Sequence, residues 1–348
     1  MIWLKLLLLP VFLLYSIFIR IRNTFFDFGL LKSRKFNIPI ISVGNMCIGG
    51  SGKTPHVEYL IRLINNSKKV SVLSRGYGRN SKGFLNVNSD SPANKVGDEP
   101  LQIASKYPEV SVAVCERRVS GIMKLLKQKV SLILLDDAYQ HRWVQPGLSI
   151  LLTKYDNLFI NDTLLPLGSL REHKKGYSRA DVIVVTGTPN PLLPLDEHRL
   201  KEQISPKLNQ KICYSFVKYL KPKSIFSDET VDLKNKDILL LTAIENPDSL
   251  INYLDESGFK IASHLRYRDH YNYREKDLKK IISTFHSITS TEKLILTTEK
   301  DSFRLLKFEK LLEGITICCI PIEVGFHGKK SDFDSLILNY VEENNFNN

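Results

Sequence analysis

The stretch Ile38-Pro-Ile-Ile-Ser-Val-Gly-Asn-Met-Cys-Ile-Gly-Gly-Ser-Gly-Lys-Thr-Pro55 constrains this chain more than any other. It opens with an apolar, β-branched run, Ile38 to Val43, that reads as a buried strand. A glycine-rich turn follows, then Lys53-Thr54, then the helix-compatible segment His56 to Leu63. Strand, glycine turn, Lys-Thr and helix in this order are the context of a phosphate-binding P-loop. Glycine lets backbone N–H groups curl around phosphate oxygens without a Cβ in the way, and a helix N-terminus adds unsatisfied donors. Gly49, Gly50, Ser51, Gly52, Lys53 and Thr54 are therefore the candidate nucleotide cradle. Lys53 is placed to reach the β- and γ-phosphates, and the Thr54 hydroxyl to ligate Mg²⁺. The strict pattern asks for glycine at position 47, where this chain has Cys47; Gly49 and Gly50 supply the turn instead.

A second signal lies downstream. Leu132-Ile-Leu-Leu-Asp-Asp137 is an apolar strand ending in acids, the pattern of a Walker B strand. A carboxylate at the carboxyl end of a parallel strand sits beside the P-loop, so Asp136 is the metal-side candidate. Asp137, adjacent to it, points elsewhere and is available to a water or to Lys53. Within Leu165-Pro-Leu-Gly-Ser-Leu-Arg-Glu172, Arg171 is a candidate clamp for a transferring phosphoryl group. Short apolar runs at 70–73, 110–114, 148–152 and 182–185 give further strands, and residues 80–96 read as a polar surface loop.

Length allows one large domain or two ordinary ones, at 348 residues. The formal net charge of +12 favours an anionic partner, whether nucleotide, nucleic acid, phospholipid or phosphorylated substrate. Five scattered cysteines without paired metal spacing suit a reducing compartment. Residues 2–19 form an apolar helix broken only by Lys5 and Pro10, about 27 Å long at ~1.5 Å per residue. That is just short of a ~30 Å hydrocarbon core. No small-x-small cleavage site follows, and basic residues flank it: Arg20, Arg22, Lys32, Arg34 and Lys35. The expected arrangement is an uncleaved helix lying in or dipping into the cytoplasmic leaflet, with a single span as the alternative. Residues 187–210 are rich in Pro, Lys and Asn, which sets an expected boundary near 207. The expected organisation is an N-terminal membrane-associated helix (1–22), a P-loop domain (23–207), a second, smaller α/β domain (208–332) and a C-terminal helix packing on the body (333–348). The fold class is α/β, a P-loop NTPase-type mostly parallel sheet.

These motifs together resemble the tetraacyldisaccharide 4'-kinases of lipid A biosynthesis. The resemblance rests on Val43 to Pro55, Arg75-Gly-Tyr-Gly78, Gly97-Asp-Glu-Pro100, Asp136-Asp137 with Gln140-His141, Pro166 to Glu172, Asp269-His270 and Thr298-Glu-Lys-Asp301, in that order. That family also replaces the first P-loop glycine; Ala138-Tyr139 departs from its more usual Gly-Phe. The resemblance implies two α/β domains with ATP between them. It implies ATP and Mg²⁺ as cofactors, an acylated disaccharide 1-phosphate lipid as acceptor, and work at the cytoplasmic face of the inner membrane. It further implies that Asp98 and His270 act together near the acceptor hydroxyl, with Glu99 joining Thr54 and Asp136 as a metal candidate. No nucleic-acid partner is expected, since no aromatic-basic recognition motif accompanies the charge, and no protein partner is predicted. The alternative is a membrane-associated P-loop NTPase acting as a switch or delivery factor. A guanine-selective version would carry Asn-Lys-x-Asp after a late strand, where this chain has Thr297-Thr-Glu-Lys-Asp301; an early-lysine P-loop would place Lys near 48, where it has Ile48.

Overall fold

Ile40–Asn45 forms β1, and all of its residues are buried. The computed structural model describes residues 2–65, 69–227, 229–328 and 331–344. Met1, and residues 345–348 of the expected C-terminal helix, lie outside the described residues. By its internal contacts the chain divides into two compact units: Met1–Val217 with Val324–Asn348, and Lys218–Glu323.

The first unit is built on one sheet. Its strands are β1, β2 (Val70–Ser74), β3 (Leu85–Val87), β4 (Ser111–Val114), β5 (Leu132–Asp136), β6 (Leu148–Lys154), β7 (Val182–Thr186), β8 (Lys211–Tyr219) and a late strand, Ile322–Phe326. The order runs from that late strand through β8, β7, β6, β1, β5, β2 and β4 to β3. From β8 to β4 each neighbouring pair is parallel, and β3 pairs antiparallel with β4. Parallel neighbours need crossovers, which the helices supply. Alternate strand residues feed opposite faces. Ile41, Val43, Val72, Leu134 and Ile150 enter one core, and Ile40, Leu73, Ile133 and Leu135 another. Each such fully buried side chain contributes about 1.5–3 kcal/mol of transfer free energy.

The second unit carries β9 (Lys223–Ser224), β10 (Asp237–Thr242), β11 (Lys260–Arg266), β12 (Lys293–Thr298) and β13 (Ile317–Ile320). Their order is β11-β10-β12-β13-β9, with β9 antiparallel and the other pairs parallel.

Several elements differ from the sequence expectation. The N-terminal helix runs Ile2–Asp27, straight through Pro10 and past residue 22. The loop expected over 80–96 contains β3 and a one-turn helix, Ala93–Val96, because Leu85 and Val87 find a partner strand that local composition does not reveal. The Pro- and Lys-rich stretch 187–210 is a surface crossover with its own helix, Pro194–Ile204, and β8 continues the first sheet beyond it. β13 of the second unit is followed directly by Ile322–Phe326, which becomes β14 of the first sheet. The last helix, Ser331–Glu343, then buries Phe333, Ile337 and Val341 in the core that holds Val57 and Leu60 of the P-loop helix.

Candidate active site

The site is assembled where β1 and β5 end. Their parallel register sets Val43 beside Asp136, so the turn after β1 and the acids after β5 leave the sheet together. Gly44 makes the approach possible: a Cβ there would meet Tyr139 Cβ at 2.7 Å and Tyr139 N at 2.9 Å.

The turn itself explains Cys47. Cys47 forms an antiparallel bridge with Leu170; Ile48 N–H donates to Ser169 O at 2.8 Å, and Arg171 N–H to Met46 O at 2.7 Å. Extended backbone accepts any side chain. The left-handed positions fall at Gly49 (φ 110°) and Gly52 (φ 77°), where glycine is needed. The helix Lys53–Ile64 starts directly after Gly52. Behind it, burial pushes the His56 imidazole down to about 4, so the ring is neutral. Its Nδ1–H donates to Gly52 O at 2.7 Å while Nε2 accepts from Ser215 Oγ at 3.0 Å, which fastens the turn to β8.

Lys53 Nζ lies 3.4 Å from Asn45 Oδ1 and 3.8 Å from Asp137 Oδ1. Arg171 Nη1 donates to both Asp137 oxygens, at 3.0 and 3.1 Å. Asp137 therefore sits between the two cations that sequence marked for phosphate. It holds a positive φ of 47°, which turns it away from Asp136. Asp136 is 4% exposed and accepts from Ser74 Oγ at 3.1 Å through Oδ2. Its Oδ1 is buried with no partner among the described residues, as is Ser51 Oγ. Burial first, then the Asp137 charge, pushes the Asp136 carboxyl up to about 6, with Lys53 opposing and Glu99 adding to the rise. A buried carboxylate oxygen without a donor is what a hard divalent cation would satisfy, so Asp136 fits Mg²⁺.

Asp98 and Glu99 open the helix Asp98–Lys106, and both are half-buried. Gly97 (φ 95°) packs on the turn after β2: a Cβ on it would lie 3.1 Å from Tyr77 O and 3.2 Å from Gly76 Cα. The same helix is tied to the P-loop helix through buried Glu58, which accepts from Gln102 Nε2 at 2.9 Å and Lys106 Nζ at 2.8 Å.

His270 belongs to the second unit. It has φ 57°; Lys300 Nζ donates to its Nε2 at 2.9 Å, and an Arg304 nitrogen lies 3.4 Å from Nδ1. Buried Asp301 accepts from Ala243 N–H and Arg304 Nη1, each at 2.9 Å, which anchors this corner.

Sequence reasoning gave no role to several residues around the P-loop. Arg118 is 1% exposed and donates to Cys115 O at 3.1 Å, Asp136 O at 3.2 Å and Asp137 O at 3.5 Å, so a buried cation braces the acidic turn. Burial pushes its guanidinium down to about 10. Gln140 Nε2 donates to Asn45 O at 2.8 Å and Glu172 Oε1 at 3.1 Å, and Glu172 also receives Arg179 Nη2 at 2.8 Å. Gln140 and Glu172 stood in recognised motifs; Arg118 carried no sequence signal beyond its place next to Arg117.

The N-terminal helix reaches the same spot. Tyr15 OH donates to Arg171 O at 2.8 Å, and Arg22 Nη2 to Gln140 O at 2.9 Å. Ile19 and Phe26 are buried, but another face of the helix is bare: Leu7 is 74% exposed, Leu14 70% and Phe18 64%. Leu7–Asp27 is long and apolar enough to cross or anchor to a membrane.

Comparison with known proteins points one way. The profile of the family described as Tetraacyldisaccharide-1-P 4'-kinase matches residues 4–342. A Tetraacyldisaccharide 4'-kinase of Bacteroides fragilis is 41% identical over 354 aligned residues, covering 98% of this chain and 94% of its own. That of Flavobacterium psychrophilum is 40% identical, covering 98% of both. The crystal structure of LpxK from Aquifex aeolicus in complex with ATP superposes with a TM-score of 0.77 at 30% identity, covering 97% of this chain and 99% of that one. With the nucleotide cradle, the acidic pair and matches over nearly its whole length, the chain belongs to the tetraacyldisaccharide 4'-kinase family.

Proposed function

We propose that this chain transfers the γ-phosphoryl group of ATP to the 4'-hydroxyl of a tetraacylated glucosamine disaccharide 1-phosphate, working from the cytoplasmic face of the inner membrane. The observation that carries the reading is the convergence of Lys53, Asp136, Asp137 and Arg171 at the ends of β1 and β5. Phosphoryl transfer asks a protein mainly for positioning and charge stabilisation. Lys53 and the amides of Gly49, Gly50, Ser51 and Gly52 hold the β- and γ-phosphates. Thr54 and Asp136, with Glu99, would hold Mg²⁺, which would supply positive charge to neutralise the phosphate oxygens. Arg171 leaves Asp137 for the transferring group and offsets its charge in the transition state. Asp98 receives the proton of the 4'-hydroxyl with the assistance of His270. The exposed apolar face of the N-terminal helix rests in the lipid that supplies the acceptor.

ATP consumption measured with and without acylated disaccharide 1-phosphate tests this reading. A kinase consumes ATP when the acceptor is present and yields the 4'-phosphorylated lipid; steady hydrolysis that ignores the acceptor would show a switch instead. Lys53→Ala lowers kcat by ~10²-fold or more if the ammonium holds the transferring phosphate. Near-normal turnover in that variant would remove Lys53 from the mechanism.

A further inference from the structure

A second cationic concavity opens on the carboxyl edge of the first sheet. Its volume is about 480 Å³, and Lys82, Gly83, Phe84, Glu116, Arg117 and Lys124 line it. Among the described residues, Lys82, Arg117 and Lys124 pair with no carboxylate; Lys124 Nζ instead lies 5.1 Å from the centre of the Phe84 ring. The one carboxylate of the lining, Glu116, is already engaged. Arg79 Nη2 donates to its Oε1 at 2.6 Å, and Gly83 N–H to its Oε2 at 3.0 Å. Arg79 stands behind the wall with its side chain only 3% exposed, and its Nε and Nη1 are buried without partners among the described residues. Three facing cations and one buried one against a single neutralised acid make a seat for a doubly charged anion.

Its place in the sheet says which anion. β2 pairs with both β5 and β4, and Ser74, the last residue of β2, is level with Val114, the last of β4. Glu116 and Arg117 therefore leave the sheet two ladder steps from Asp136, about 10 Å. We infer that this concavity binds the 1-phosphate of the acceptor, with Lys82, Arg117 and Lys124 as its ligands. The inference rests on the kinase reading above: two linked sugar rings separate the 1-phosphate from the 4'-hydroxyl, an offset comparable to that between the concavity and the acidic pair.

The test compares acceptors with and without the 1-phosphate, in wild type and in the double variant Lys82→Gln/Lys124→Gln. The expected result is a KM for the phosphorylated acceptor raised about tenfold in the variant. kcat, the KM for ATP and the KM for the dephosphorylated acceptor stay unchanged, and Lys82→Arg/Lys124→Arg restores the wild-type value. Equal effects on both acceptors, or none on either, overturn the inference. Binding to vesicles containing phosphatidic acid is measured alongside. If the variant loses vesicle binding while its acceptor KM is unchanged, the concavity takes a membrane headgroup and the inference falls. A wild type that phosphorylates neither acceptor overturns the kinase reading itself, and this inference with it.

Discussion

Asp136 is the residue whose environment has the most measurable consequence. Its carboxyl is held near 6 by burial, above the ordinary 3.8. In the metal-free protein at pH 7 it is ionised in both states, but only the native state buries the charge. Near pH 4 the native carboxyl is protonated and the unfolded one, at its ordinary 3.8, is partly so, and most of that cost is gone. Wild type therefore loses stability from this group as pH rises from about 4 to about 6. Asp136→Asn should be more stable than wild type at pH 7 by up to ~3 kcal/mol, with the gap shrinking towards pH 4. Urea midpoints at the two pH values measure it, and a gap that does not change with pH would mean another group dominates. The same variant should lose activity, because the oxygen it replaces is the one without a protein donor.

Among elements, β1 and the segment after β5 are matched at Gly44. Gly44→Ala drives a methyl into Tyr139 and should cost ~1–3 kcal/mol, read as a lower urea midpoint. An unchanged midpoint would show that Tyr139 moves aside freely. The two roles proposed for the N-terminal helix can be separated. Its bare apolar face suits lipid, while Tyr15 and Arg22 hold the carbonyls of Arg171 and Gln140. Tyr15→Phe should leave vesicle flotation as in wild type. It should lower kcat about fivefold, the equivalent of the ~1 kcal/mol that one hydrogen bond contributes. Loss of flotation with intact kcat would reverse the assignment. Removing residues 1–22 should impair both.

At the scale of the whole molecule, the residues proposed for proton transfer come from different units: Asp98 from the first, His270 from the second. His270→Ala should lower kcat by ~10²–10⁴-fold while the KM for ATP stays near wild type. A change confined to KM would make His270 a binding residue. The late return of the chain to the first sheet means that neither unit is a simple contiguous half: the first is completed only by Val324–Asn348. Tyr340, near the C-terminus, donates its hydroxyl to Ile40 O at 3.2 Å and accepts from Ile40 N–H at 3.1 Å, so the last helix braces the strand that opens the nucleotide cradle.

Sequence alone determined what is local. A β-branched run, glycines at the turn and Lys-Thr at a helix start are set by backbone sterics and donor placement within a few residues, and they need no distant partner to be read. The apolar strand ending in Asp136-Asp137 is legible for the same reason. Tertiary structure decided what depends on residues far apart. Cys47 is tolerated because Leu170 bridges it, Asp136 rises to about 6 because neighbouring strands bury it, and buried Arg118 braces carbonyls eighteen and nineteen positions downstream. Burial and hydrogen-bond partnership are properties of the packed chain, and no spacing rule along a sequence encodes them.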